Sequence, residues 1–333
     1  MSILLLVLQF LVGFVFLVGG AEFLVRGASR LAARFNVPDV IIGMTIVAFG
    51  TSLPELVVSL TANMSADGGN DIAIGNVVGS NIANLGLILG LAGLVAVLDV
   101  KASFPRREVP FLLGVTVLFA ALALLGGGIG RVVGGVFVVG LAVFTWFNYR
   151  AAMGEQAYRE NVEDTLMAAE AIDHQIARPS RQVWFDGLSI LMGLAGLVLG
   201  ANWLVDAADQ IAQALGVSDL IIGLTLVAIG TSLPEAATSL VAVFRGKSDI
   251  AIGNIVGSNL FNILGIVGIT VLVKPITLPP GMLPDFLVMI GMTVVVFAFI
   301  WRKPHDINRW EAGVLVGCYV AYCALLVWRV AAA

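Results

Sequence analysis

The sequence predicts an all-α polytopic membrane protein: ten transmembrane helices arranged as two inverted five-helix repeats. Three observations carry that expectation. The 333 residues are 59% hydrophobic and only 12% charged, with a mean hydropathy of +1.01, where soluble domains carry about 25% charged residues. Apolar runs near the ~20 residues that a helix needs to cross a bilayer recur along the whole chain. A polar motif, GTSLPE, stands in two of those runs, at 50–55 and 230–235.

The spans are expected at roughly 3–25, 39–64, 72–98, 109–127, 132–149, 183–205, 219–244, 250–273, 283–301 and 312–330. The first run has no basic flank and no small-residue cleavage site, so it reads as a retained span rather than a signal peptide. Lys and Arg then orient the chain. Fifteen of the 18 fall in loops on one side, including Arg26, Arg30, Arg34, Arg245 and Lys247, whereas only Arg131, Lys274 and Arg329 fall on the other. Both termini are therefore expected outside, and the one long polar connection, 150–182, is expected in the cytoplasm as a solvated linker with a short helix. It separates a first repeat (1–149) from a second (183–333). It has no Asp-x-Asp-x-Asp-Gly calcium loop. His174 and His305 are solitary loop residues, and Cys318 and Cys323 share one apolar segment. No basic tract suggests nucleic acid.

Residues 36–63 align without gaps on 216–243 with 17 identities in 28 positions, and 71–90 on 249–268 with 13 in 20. Five spans precede the linker and five follow it, so equivalent helices cross in opposite directions, a common plan of secondary transporters with the site near the midplane. The charges agree: Arg26, Arg30 and Arg34 correspond to Asp206, Gln210 and Ala214.

A lone carboxylate in hydrocarbon costs about 2.5–3.5 kcal/mol on insertion scales, so Glu55 and Glu235 read as functional. Pro54 and Pro234 have no N–H to donate and crowd the preceding turn. The helices are expected to kink or open there, freeing carbonyls near 48–51 and 228–231. Thr51, Ser52 and Glu55 share one helical face, as do Thr231, Ser232 and Glu235. Asn76, Ser80 and Asn84 recur four residues apart, and so do Asn254, Ser258 and Asn262. Carboxylates, hydroxyls and carbonyls are hard oxygen ligands suited to alkali and alkaline-earth cations, and the absence of imidazole and thiolate argues against zinc or copper. Two carboxylates without a basic partner exclude an anion. Gly43, Gly75, Gly79, Gly253 and Gly257 are expected to serve close packing. Asn76 and Asn254 serve either the site or interhelical hydrogen bonds, Asn81 and Asn259 are expected to be structural, and Glu22, matched only by Asn202, is a weaker site candidate.

On GTSLPE and the paired GNVVGSNIAN (75–84) and GNIVGSNLFN (253–262), the chain resembles the calcium/cation antiporter superfamily, specifically its prokaryotic sodium/calcium exchangers. The resemblance implies alternating access, and a diamond of cation sites at the midplane. In it, Glu55 and Glu235 are the shared carboxylates, and Thr51 and Thr231 complete a calcium site through backbone oxygens. One flanking sodium site takes Ala48, Thr51, Ser80 and Ser232 with Glu55; the other takes Ala228, Thr231, Ser258 and Ser52 with Glu235. Asn84 and Asn262 line the middle. Some relatives, including potassium-dependent exchangers, carry aspartate at the position of Asn262, which makes potassium co-transport less expected here. The resemblance also implies electrogenic exchange of three sodium ions for one calcium, with the first and sixth spans sliding past the core.

The expectation is thus an antiporter for Na+ and Ca2+ in the prokaryotic cytoplasmic membrane, with no cofactor, no catalytic residues and no obligate protein partner. A proton/calcium antiporter is the alternative, although relatives of that type usually carry Asn-x-x-Glu in place of Thr-Ser-x-x-Glu. A cation channel and an intramembrane enzyme rank below it. The spans hold no aspartate pair, no His-Glu-x-x-His and no Ser/His arrangement.

Overall fold

A computed structural model describes residues 3–35, 37–65, 69–99, 105–167, 180–214, 228–302 and 306–331. The helices are α1 (Ile3–Arg34), α2 (Asp39–Thr51), α3 (Leu53–Met64), α4 (Asp71–Val95), α5 (Pro105–Gly126), α6 (Arg131–Met167), α7 (Ser180–Ala214), α8 (Ala228–Thr231), α9 (Leu233–Phe244), α10 (Ser248–Val273), α11 (Leu283–Trp301) and α12 (Arg309–Ala331). Among the described residues, eight helices are long and apolar enough to cross a membrane, and the bent pair α2–α3 makes a ninth. The remaining expected span, 219–244, is described only from Ala228, as α8 and α9. Residues 168–179 of the expected linker, with His174, lie outside the described residues, as does His305. The fifth expected span does not stop at 149, because α6 continues into the polar stretch as far as Met167.

Burial separates a centre from a periphery. The apolar windows of α4 and α10 are 78% and 89% buried, whereas those of α1 and α7 are each 28% buried. The outer faces of α1 and α7 display Leu4, Leu11, Val15, Trp184 and Leu191, the surface expected of helices that face lipid. Their shared face is made of glycine. A Cβ on Gly20 would stand 2.6 Å from the backbone nitrogen of Leu197, and one on Gly200 would collide with that of Leu17. Gly13, Gly27 and Gly193 meet the opposite backbone at comparable range. Small residues permit this approach, and van der Waals packing then holds the helices. Buried Asp186 of α7 adds charge to the same pairing, accepting Arg30 Nε at 2.6 Å and also Arg34, both from α1.

Two short antiparallel ladders tie the halves together. β1 (Leu98–Asp99), after α4, pairs with β4 (Asp306–Ile307), after α11; β2 (Gly128–Ile129), after α5, pairs with β3 (Ile276–Thr277), after α10. The strand after the third span of one half therefore pairs with the strand after the fourth span of the other, twice and reciprocally. The helices follow the same exchange. Gly86, Gly90 and Gly93 of α4 lie against Tyr319, Val316 and Ala312 of α12, while Gly134 of α6 lies against Gly268 and Val271 of α10. Arg245 pairs with Glu22 at 2.5 Å and Lys247 with Asp39 at 2.9 Å. Arg131 caps the carbonyls of Leu272 and Val273, and Lys274 reaches the carbonyl of Ser65.

The α1–α7 contact makes a direct test available. Gly20→Ala should lower stability by about 1–3 kcal/mol, the usual cost of overpacking. At neighbouring Gly19 an added Cβ would meet no described atom within 4 Å. That position should accept alanine at no cost, because alanine is the better helix former by up to about 1 kcal/mol. Thermal unfolding in detergent compares the two variants.

Candidate cation-binding site

The site forms where two helices break. Ser52 leaves the helical region, with φ −86° and ψ 7°, and Ser232 repeats this at φ −89° and ψ 5°. Leu53 and Leu233 then start new helices whose second residues are Pro54 and Pro234, a position where the missing N–H has no helical partner to lose. The axes of α2 and α3 differ by 43°. The break places Glu55 and Glu235 in the first turn of α3 and α9, where the positive end of the helix dipole favours a carboxylate.

One expected consequence of the prolines needs correction. The carbonyl of Ala48 is not free: it accepts the Ser52 N–H at 3.1 Å, and the Thr51 hydroxyl stands 3.3 Å away with its single hydrogen between this carbonyl and Asn254 Oδ1 at 3.2 Å. The turn tightens around the break, and the threonine hydroxyl bonds back to the preceding turn. Ala48 is buried at the site, and its oxygen keeps one helical donor, the Ser52 N–H, which leaves one lone pair toward Thr51 and the site. Ala228, its counterpart, begins α8.

Both carboxylates are 1% exposed and close enough to repel each other. Ser52 donates its hydroxyl to Glu235 Oε1 at 2.9 Å across the two halves. Beyond this, among the described residues, Glu55 Oε2, Glu235 Oε2, Ser232 Oγ, Ser258 Oγ, Asn84 Oδ1 and Asn262 Oδ1 are buried without a hydrogen-bond partner. Buried acceptors are rarely left so, because each loses its hydration without replacement. These six are oxygens, while Asn259 Nδ2, beside Asn84, is a buried donor left over in the same region; no described group of three or more His, Cys, Asp or Glu side chains gathers anywhere. A hard cation that accepts mixed carboxylate, hydroxyl and amide oxygen satisfies such a set, and a soft transition metal does not. Ser80 is buried as well.

The asparagines around this set join the halves. Asn84 donates to Asn259 Oδ1 at 3.3 Å, and Asn262 donates to Asn81 Oδ1 at 3.1 Å. Thr51 donates to Asn254 Oδ1 at 3.2 Å and Thr231 to Asn76 Oδ1 at 3.4 Å. Asn84 opens a π-helical turn, Asn84–Ile88, and Asn262 lies in another, Phe261–Val267; such turns occur often at functional sites. Sequence reasoning found the asparagines by spacing but not these cross-half partners, nor Ser59 and Ser239, which bind Asn76 and Asn254. The repetition of Glu-x-x-x-Ser in both halves was the available signal.

Of the glycines expected to pack, Gly43, Gly253 and Gly257 do so. Added Cβ atoms on Gly43 and Gly257 would approach Ile250 O at 2.7 Å and Met44 Cα at 2.6 Å, and one on Gly253 would collide with the Val40 carbonyl. Gly75 and Gly79 meet no described atom within 4 Å; the segment symmetric to 40–47 is 220–227, outside the described residues. Glu22 does not reach the site: it is ion-paired with Arg26 and Arg245.

Comparison with known proteins agrees with this geometry. The family model described as "Sodium/calcium exchanger protein" matches residues 5–150 and 187–328. The chain belongs to the sodium/calcium exchanger family. Inner membrane protein YrbG of Escherichia coli (strain K12) is 36% identical over 321 residues, covering 96% of this chain and 95% of that protein. Sodium/calcium exchanger MaX1 of Methanosarcina acetivorans is 32% identical over 343 residues, covering 95% and 97%. Among solved structures, the sodium-calcium exchanger NCX_Mj superposes with a TM-score of 0.81 at 30% identity, over 98% of this chain and 100% of that one. This exchanger is accordingly a transporter rather than an enzyme, and its membrane helices carry a duplicated oxygen site.

If the unpartnered oxygens exist to meet a cation, neutralising them should not harm the fold. Glu55→Gln and Glu235→Gln should melt at or above the wild-type temperature in chelator. Both should lose the calcium-induced rise in melting temperature that ligand linkage gives the wild type.

Proposed function

We propose that this protein is an electrogenic sodium/calcium antiporter working by alternating access, with Na+ and Ca2+ competing for Glu55 and Glu235. The observation that carries the reading is the pair of buried carboxylates, each with one unpartnered oxygen, set among hydroxyl and amide oxygens. Thr51, Ser52, Ala48, Ser80 and Asn84 from the first half, and Thr231, Ser232, Ala228, Ser258 and Asn262 from the second, complete the sites. Two ionised carboxylates balance one divalent ion, and monovalent ions replace it in turn. Three sodium ions for one calcium leave one net charge moved per cycle.

The wider architecture in this reading is ten spans in two inverted repeats, 1–149 and 183–333, joined by a cytoplasmic linker at 150–182, with both termini outside a prokaryotic cytoplasmic membrane. The reciprocal strand pairing across the halves supports the inversion, and the basic-residue bias supports the orientation. The glycine-lined packing of α1 on α7 supports their moving as one unit past the core.

Proteoliposomes test the reading. Radioactive calcium uptake should require internal sodium, should not be replaced by internal potassium or by a proton gradient, and should be accelerated by an inside-positive potential set with potassium and valinomycin. Glu55→Gln and Glu235→Gln should abolish it. Uptake driven by a proton gradient alone would make the protein a proton/calcium antiporter, and calcium flux needing no counter-ion would make it a channel.

A further inference from the structure

Resting on that reading of the site, we propose that Asn76 and Asn254 are positioning residues. Each clamps the carboxylate-bearing helix of its own half to the broken turn of the other half, so that the two half-sites respond to a cation together. Asn76 donates Nδ2 to the Glu55 carbonyl at 3.1 Å and to Ser59 Oγ at 2.9 Å. Asn254 repeats this with the Glu235 carbonyl at 3.4 Å and Ser239 Oγ at 3.0 Å. A carbonyl can only accept, so the amide nitrogen must face the glutamate helix and the amide oxygen must face away. Facing away, that oxygen meets the threonine of the opposite break: Thr231 for Asn76 and Thr51 for Asn254. The threonine hydroxyl is thereby the donor.

The consequence is a crossed linkage. The first break reaches the Glu235 helix through two adjacent residues, Thr51 through Asn254 and Ser52 directly on the carboxylate. The second break reaches the Glu55 helix through Thr231 and Asn76. A cation that draws in one carboxylate therefore pulls on the break of the opposite half. Only an amide supplies two donor hydrogens on one side and an acceptor on the other without adding charge. Asn254 is fully buried, where a lost partner cannot be replaced by bulk water.

The linkage predicts which variants are coupled, and a double-mutant cycle reads this directly. The quantity is the half-saturating concentration of calcium, and separately of sodium, for thermal stabilisation of the purified full-length protein in detergent. Thr51→Val removes the hydroxyl while keeping the backbone carbonyl. Thr51→Val and Asn254→Ala should each raise half-saturation by about threefold to tenfold, the range of one hydrogen bond. The double variant should be no worse than the weaker single. Thr231→Val with Asn76→Ala should behave alike, whereas the same-half pair Thr51→Val with Asn76→Ala should multiply. Thr51→Ser should recover most of the affinity lost in Thr51→Val. If Asn254→Ala does not fold, Ser239→Ala in cycle with Thr51→Val carries the same test with a smaller loss. Multiplying effects in the cross-half pairs, or variants that melt lower with half-saturation unchanged, would overturn the positioning role. A wild type that answers sodium but not calcium would refute the proposed cargo while the sodium cycle still decides the positioning. A response to neither ion would overturn both.

Discussion

Burying Glu55 and Glu235 side by side inside an apolar bundle strips both carboxylates of water and brings like charges together, and among the described residues no basic side chain is bonded to either carboxylate to offset the cost. Every nearby departure from regular helix bears on this problem. The breaks at Ser52 and Ser232 put each glutamate at the start of a new helix, where backbone N–H groups lie toward it. Ser52 donates to Glu235 from across the bundle. Around the two carboxylates, the described atoms left unpartnered are mainly oxygens, and a positive ion satisfies carboxylate, hydroxyl and amide oxygen together.

Duplication solves the geometry that a single motif cannot. One broken helix presents its ligands to one side, so a cage needs a second copy facing the first. The two copies are interleaved rather than apposed: strands pair across the halves, α12 of the second half packs on α4 of the first, and α6 of the first packs on α10 of the second. Residues of opposite halves therefore meet at hydrogen-bond distance in at least five places around the site, counting Ser52–Glu235, Thr51–Asn254, Thr231–Asn76, Asn84–Asn259 and Asn262–Asn81.

How much of this was readable in the chain depends on what kind of signal each feature leaves. A proline and a glutamate in an apolar run are single-letter signals with a large energetic meaning, so the breaks and both carboxylates were legible. The four-residue spacing of Asn76, Ser80 and Asn84 placed them on one face because helical geometry is local. Which asparagine meets which across the bundle depends on packing register, so Asn84–Asn259 and Asn262–Asn81 left no trace. The π-helical turns at 84–88 and 261–267 insert one residue into a turn without requiring any residue type. The Ala48 carbonyl departs from expectation for a physical reason: its helical donor is the Ser52 N–H, which lies before Pro54, so the proline takes nothing from it. Glu22 was separated from the site by a partner, Arg245, that stands 223 positions away in sequence.

The two halves are symmetric around the buried carboxylates and asymmetric at the helix ends. Thr51, Ser52, Glu55, Ser59, Asn76, Ser80 and Asn84 each have an identical counterpart in the second half. At the helix ends the correspondence fails. Glu22 and Arg245 form an ion pair between α1 and the end of α9, but their counterparts are Asn202 and Ser65, which carry no charge. Asp186 holds Arg30 and Arg34 within the α1–α7 pair, while Gln210 and Ala214 take the arginine positions in the other half. Basic residues are biased toward one side of a membrane protein, so an inverted duplicate tends not to keep them at equivalent positions. Under the alternating access proposed above, this has an energetic consequence. The ion cage can be equivalent in both directions, but the contacts between the α1–α7 pair and the core cannot be. In that reading the two end states differ in energy even when the same ion is bound.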